Sequence, residues 1–178
     1  MILLTGFGPF GADGSVAHES NPSEALALVA GERLGAKTEI LPVRFDIGDT
    51  VPELVKDADL VLSIGVAASR TVPRLEKLGV NWQEARTPDI TGYAPGGVRV
   101  DSAGPDFVGT GWDLERIGAE CGIEVSLNAG TYVCNTLSYS LYRHHRNACF
   151  LHIPPLEHLS EDDGVDLVER IIECCLSA

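Results

Sequence analysis

The chain has 178 residues, 44% of them hydrophobic, and 26 acidic against 13 basic side chains leave a formal charge of −13 at neutral pH. That length suits one domain, residues 1–178, with a substantial core, and is short for two. So negative a surface repels nucleic-acid phosphates and anionic membranes, which excludes both as partners.

The opening Met1-Ile-Leu-Leu4 is four apolar residues before Thr5-Gly6, too short and too uncharged for a signal peptide or a membrane span. A cytoplasmic compartment is the expectation. Residues 1–6 read as a strand, and a helix follows over 22–33. Asn21 is its N-cap, Pro22 its first position, and Glu24 the third member of a capping box. Further strands are expected at 39–43, 60–64, 75–82, 124–127 and 148–153. Helices are expected at 47–57, 112–121, 132–145 and 162–176. Cys121-Gly122 closes the third helix in the usual way. Val165, Val168, Ile172 and Cys175 form one apolar stripe on the last. Strands alternating with helices predict an α/β fold with a mostly parallel central sheet covered on both faces. Ligands then bind beyond the carboxyl ends of the strands. Residues 87–106, rich in Gly, Pro and Asp, form a long stretch without periodicity, of the kind that is functional or mobile.

Only Lys37, Lys56 and Lys77 are lysines, against ten arginines. This acidic, lysine-poor balance resembles proteins from salt-loving hosts, where cations screen the carboxylates. An ordinary acidic enzyme is the plainer alternative. Five cysteines make a disulfide framework improbable in such a compartment. No His/Cys group has zinc-ligand spacing, so no metal is expected.

Cys134 stands three residues after Thr131, which reads as a helix N-cap. A first-turn cysteine faces unpaired amides and the positive end of the helix dipole, and both favour the nucleophilic thiolate. Locally, a small buried hydrophobe is an equal alternative. Cys121, Cys149, Cys174 and Cys175 read as structural. His152 ends an apolar run before Pro154-Pro155 and reads either as a general base or as a satisfied core histidine. His144 and His145 lie ten and eleven residues beyond Cys134 on one helix, about 15 Å away, too far to serve as its base. His18 and His158 read as solvated. Glu76 reads on its own as a surface charge, and nothing in its spacing selects it. The segment Gly6-Phe-Gly-Pro-Phe-Gly11 matches the dinucleotide fingerprint Gly-x-Gly-x-x-Gly. Its helix cap, Asn21, comes ten residues too late, and Pro9 removes an amide donor. A nucleotide-handling protein is therefore the second functional reading, and a non-catalytic peptide-binding module the third.

Several blocks together carry a resemblance. Leu4-Thr-Gly-Phe-Gly-Pro-Phe-Gly11, Asn21-Pro-Ser23, Leu41-Pro-Val43 and Gly65 to Arg70 come first. Glu76 through Val80-Asn81 to Ala85-Arg-Thr-Pro-Asp89, Asn128 to Asn135 and Phe150-Leu-His-Ile-Pro154 follow. In this order they resemble pyroglutamyl peptidase I, the pyrrolidone carboxylate peptidases. The resemblance implies a three-layer α/β/α sandwich that removes N-terminal pyroglutamyl residues from peptides, without cofactor and commonly as a homotetramer. It implies Cys134 as nucleophile, His152 as general base and Glu76 as the acidic third member. Arg86 corresponds to an arginine near the reacting centre that supports the oxyanion. Phe7 and Phe10 correspond to an aromatic pair that holds the lactam, Asn21 to an asparagine that organises the pocket, and Val66 lies in a substrate-contacting loop. The chain departs from the pattern in being shorter around the His152 strand and near its C-terminus. It also carries Ile90-Thr-Gly92 in place of Asn-Glu-Gly, and Val66-Ala-Ala-Ser69 where Gln and extra Gly are common.

Overall fold

The structure, a computed structural model, describes residues 1–10 and 20–177. Gly11 and His18 lie outside the described residues. The chain carries the expected strands and, between β4 and α3, three short strands that the sequence did not signal: β1 (Ile2–Phe7), α1 (Pro22–Leu34), β2 (Lys37–Leu41), α2 (Val51–Val55), β3 (Leu60–Val66), β4 (Arg74–Val80), β5 (Gln83–Glu84) and β6 (Gly96–Val98). It continues with β7 (Phe107–Gly109), α3 (Leu114–Cys121), β8 (Glu124–Asn128), α4 (Val133–His144), β9 (Ala148–Ile153) and α5 (Glu161–Leu176). The helix expected at 47–57 is instead a 3-10 turn, Phe45–Thr50, followed by the short α2. Gly48 and Asp49 fall at its centre, where their low helix propensity favours the tighter turn.

The main sheet runs β2-β1-β3-β9-β4-β7, with β8 on the other edge of β4. Pairs β2-β1-β3-β9 are parallel, and β4 reverses: it is antiparallel to β9 and to β7 but parallel to β8. Two cores flank the sheet. On one face Leu26, Ala27 and Ala30 of α1, Ile117 of α3, and Val168, Ile171 and Ile172 of α5 cover Leu4, Leu62, Ile64, Leu75 and Leu151. On the other, Val133, Leu137 and Leu141 of α4, with Val51 and Val55 of α2, cover Leu3, Val61, Ala148 and Phe150. This is the three-layer α/β/α arrangement. The stripe of α5 packs inward, with Val165, Val168, Ile172 and Cys175 all buried.

The loop from residue 85 to 106 is held by side chains. Asp89, 2% exposed, accepts hydrogen bonds from the amides of Phe45, Thr91 and Tyr93 and from the Thr91 hydroxyl. Burial raises its pKa, but these donors outweigh it and keep the carboxylate ionised. Asn81 binds the carbonyls of Asp101 and Gly104, and accepts from the Asp101 amide. Among the described residues no helix is long and apolar enough to cross a membrane.

Candidate active site

The loop after β1 shows why Gly6 is glycine. A Cβ there would lie 2.2 Å from the Ser23 carbonyl oxygen, so the first turn of α1 rests directly on the strand. Ser23 Oγ accepts the Phe7 amide at 3.0 Å, and Asn21 donates to the Gly8 carbonyl at 3.0 Å while its Oδ1 accepts from the Ser23 amide. Asn21 as N-cap and Pro22 at the first position are as expected. These contacts tie the glycine-rich segment to helix packing, which removes the reason to read it as a phosphate cradle.

Cys134 lies at the second position of α4. The N-cap is Tyr132, not Thr131. The Thr131 hydroxyl turns away to donate to the Glu84 carbonyl at 2.8 Å, a local bond that competes with capping. The start of α4 is fixed instead by Asn135, which donates to the carbonyls of Val80 and Trp82 and accepts the Val80 amide at 2.9 Å. The first-turn amides of Val133 and Cys134 have no carbonyl within the helix to bind and are available to an incoming oxygen.

Parallel register sets Gly65 of β3 beside His152 of β9. A Cβ at Gly65 would stand 3.0 Å from Cys134 Sγ and 3.0 Å from Phe150 Cζ, so the thiol lies over the glycine on the face that carries His152. His152 is 4% exposed, and its ring stands edge-on to Phe150. Its Nδ1 is 2.7 Å from Glu76 Oε1. Burial lowers the pKa of the imidazole, but the charge and hydrogen bond of Cys134 and then the bond to Glu76 lift it to about 9.

Glu76 is fully buried, which corrects its reading as a surface charge. It lies inside because β4 pairs with β8 on one edge and β9 and β7 on the other. Burial raises the pKa of its carboxyl, and His152, Ser126 and Arg70 together bring it below the ordinary value. Arg70 Nη1 lies 2.6 Å from the same Oε1. The block containing Arg70 is legible in the sequence, but its part in this cluster is not.

A cavity of about 390 Å³ opens in front of Cys134. Phe7, Phe10, Asn21 and Val66, all singled out in the sequence, line it together with Val43, Tyr132, Val133 and Pro155. Tyr132 has no sequence signal beyond its neighbourhood. Its ring packs on Phe10 and Phe45, and its hydroxyl donates to the Pro88 carbonyl, which couples the cavity wall to the 85–106 loop. Arg86 is exposed and is not among the residues lining the cavity. The remaining cysteines lie elsewhere. Burial pushes the Cys121 thiol up to about 12, and Cys149, beside the Cys175 thiol and buried, is likewise raised. His145 binds the Ala58 carbonyl, far along α4 from Cys134.

The chain resembles known proteins along its whole length. A family model described as pyroglutamyl peptidase matches residues 1–166. The pyrrolidone-carboxylate peptidase of Bacillus velezensis is 34% identical over 97% of this chain and 88% of its own. That of Thermococcus onnurineus is 32% identical over 99% of each chain. Among solved structures, pyrrolidone carboxyl peptidase from Thermus thermophilus superposes with a TM-score of 0.81 at 30% identity, covering 99% of this chain and 98% of that one. A Pyrococcus furiosus pyrrolidone carboxyl peptidase shares the fold, with a TM-score of 0.87 at 24% identity. With the match running from the first strand into the last helix, the chain belongs to the pyroglutamyl peptidase family.

Proposed function

We propose that this chain is a cysteine omega-peptidase that releases pyroglutamate from peptide N-termini, with Cys134, His152 and Glu76 as its catalytic residues. The observation that carries the reading is the convergence of a first-turn thiol, an imidazole and a buried carboxylate behind one apolar cavity. The Cys134 thiolate attacks the pyroglutamyl carbonyl carbon, and the developing oxyanion is met by amides at the start of α4. Each such donor is worth roughly 10²–10³ in rate. The His152 imidazolium protonates the departing amine as the C–N bond breaks, leaving a thioester. Water then attacks that thioester while His152 takes its proton, and pyroglutamate and free thiol result. Glu76, bound at Nδ1, keeps the ring oriented with Nε2 towards the sulfur.

Pyroglutamate is a neutral, flat lactam without an ammonium group, so its pocket needs apolar walls and no anchoring carboxylate. Phe7, Phe10 and Val66 supply those walls, and Asn21 holds the segment after β1 that lies between the two phenylalanines. Arg86 supports the oxyanion only if its loop carries it to the cavity. Every step uses groups of this chain, so no cofactor is required. The resemblance further supports a homotetramer, and five free cysteines suit a reducing, cytoplasmic compartment. The test is release of aminocoumarin from a pyroglutamyl conjugate. Turnover by the wild type and its loss in Cys134→Ser are expected. An active serine variant, or a wild type inert on every pyroglutamyl substrate, overturns the proposal.

A further inference from the structure

Arg70 lies in the turn between β3 and β4, its amide bonded to the Ala67 carbonyl. Its side chain is 19% exposed and reaches inward over the buried Glu76. Nη1 donates to Glu76 Oε1 at 2.6 Å, and Nη2 donates to Ser126 Oγ on β8 at 3.1 Å. Oε1 also holds His152 Nδ1 at 2.7 Å, while the buried Oε2 has no partner in hydrogen-bonding geometry among the described residues. One oxygen therefore serves two cationic donors.

We propose that Arg70 is a positioning residue for the peptidase reaction. Its guanidinium fixes the Glu76 carboxylate between β4 and β8, and draws charge from the oxygen that holds His152, so that the imidazolium can release its proton to the leaving amine.

Two physical consequences follow from this geometry. A buried carboxylate held through one donor can turn about its terminal torsion, and a second donor that is itself anchored on Ser126 restricts that turn. A second positive charge on the same carboxylate oxygen also opposes that of the imidazolium. Without it, Glu76 would hold the proton on His152 more tightly, making the ring a weaker acid for the amine. The other groups around His152 do not replace it. Cys134 on α4 is its charge partner from the other side. Arg74, beside His152 in the β4–β9 register, binds Glu124 at 2.6 Å instead. Tyr142 of α4 donates to the backbone carbonyl of Glu76, not to its carboxylate.

The inference rests on the peptidase reading, so its test includes a readout independent of turnover: the titration of His152, followed by NMR of its ring. Arg70→Gln removes the charge, Arg70→Met keeps only the stem, and Arg70→Lys keeps the charge. Both neutral variants should raise the His152 midpoint by about one pH unit or more, because a like charge within reach has been removed. Their kcat should fall about 10-fold with KM within about twofold, the scale of a misaligned acid–base partner. The lysine variant should leave the midpoint in place and recover most of kcat. If Arg70→Gln does not fold, Arg70→Met decides. If neither folds, a lysine variant with a moved midpoint or a tenfold loss of kcat overturns the proposal. It is equally overturned by a neutral variant whose midpoint does not rise. A wild type without pyroglutamyl turnover would instead reject the peptidase reading, leaving the titration to judge Arg70.

Discussion

Replacing Gly65 by alanine tests the placement of the nucleophile with one methyl group. The added carbon would stand 3.0 Å from Cys134 Sγ and 3.0 Å from Phe150 Cζ. Comfortable contact between such atoms is about 3.5–4.0 Å, so about 0.5–1 Å of clearance is missing on each side. Phe150 is fully buried in the core of the inner strand β9 and has no room to retreat. Cys134 is half-buried at the cavity wall, and its sulfur can turn about χ1. The thiol therefore moves and leaves the imidazole. A displacement of about 1 Å in a reacting group costs on the order of 10²-fold in rate. Overpacking should cost about 1–3 kcal/mol of stability, a melting point lower by several degrees but a chain still folded at 25 °C. The assay is kcat/KM on a fluorogenic pyroglutamyl substrate, alongside the alkylation rate of Cys134 with iodoacetamide. A folded Gly65→Ala protein that keeps kcat/KM within about threefold of wild type would refute the reasoning.

Other outcomes follow from the same contacts. Because His152 is lifted to about 9, kcat/KM should fall on the alkaline side with a midpoint near that value, as the ring loses the proton it must give the amine. Glu76→Gln removes the carboxylate that favours the imidazolium, so this limb should move down by about one to two units, the scale of a charge-assisted hydrogen bond; a limb that stays put would contradict the assignment. His152→Ala should slow alkylation of Cys134 at pH 7 by about tenfold or more, since an unassisted thiol titrates near 8.5. Asp89→Ala leaves the amides of Phe45, Thr91 and Tyr93 without their acceptor, and thermal melts should register a loss of about 1–3 kcal/mol. Raising KCl from about 0.1 to about 2 M should increase the melting point by several degrees if screening of the −13 charge stabilises the fold, and a flat response removes the salt-adapted reading.

The legible part of the site is the part written in local sequence. Cys134 announces itself by standing at a helix start, and His152 by ending an apolar strand. Asn21 is visible as a cap, and the structure adds its bonds to the Gly8 carbonyl and the Ser23 hydroxyl. Glu76 is invisible because its burial depends on the reversal of β4, and alternation of strand and helix cannot disclose which strand runs backwards. Arg70 is hidden for the same reason, since its partners Glu76 and Ser126 belong to two different strands. The shape of residues 85–106 is equally unreadable from periodicity, because Asp89 and Asn81 fix it through side-chain bonds that no repeat encodes. Arg86 is legible only through the motif that contains it, since its exposed side chain makes no contact that spacing could disclose.

The three bonds of Asn135 to Val80 and Trp82 staple the tip of the nucleophile's helix to the far end of the strand that bears Glu76. The thiol and the carboxylate are thereby mounted on a single rigid bracket. Insertions or deletions in the turn between α4 and β9, or past residue 160, fall outside that bracket. A chain can shed length at those places while its chemistry stays in alignment, and the cost would be registered in what binds at the rim.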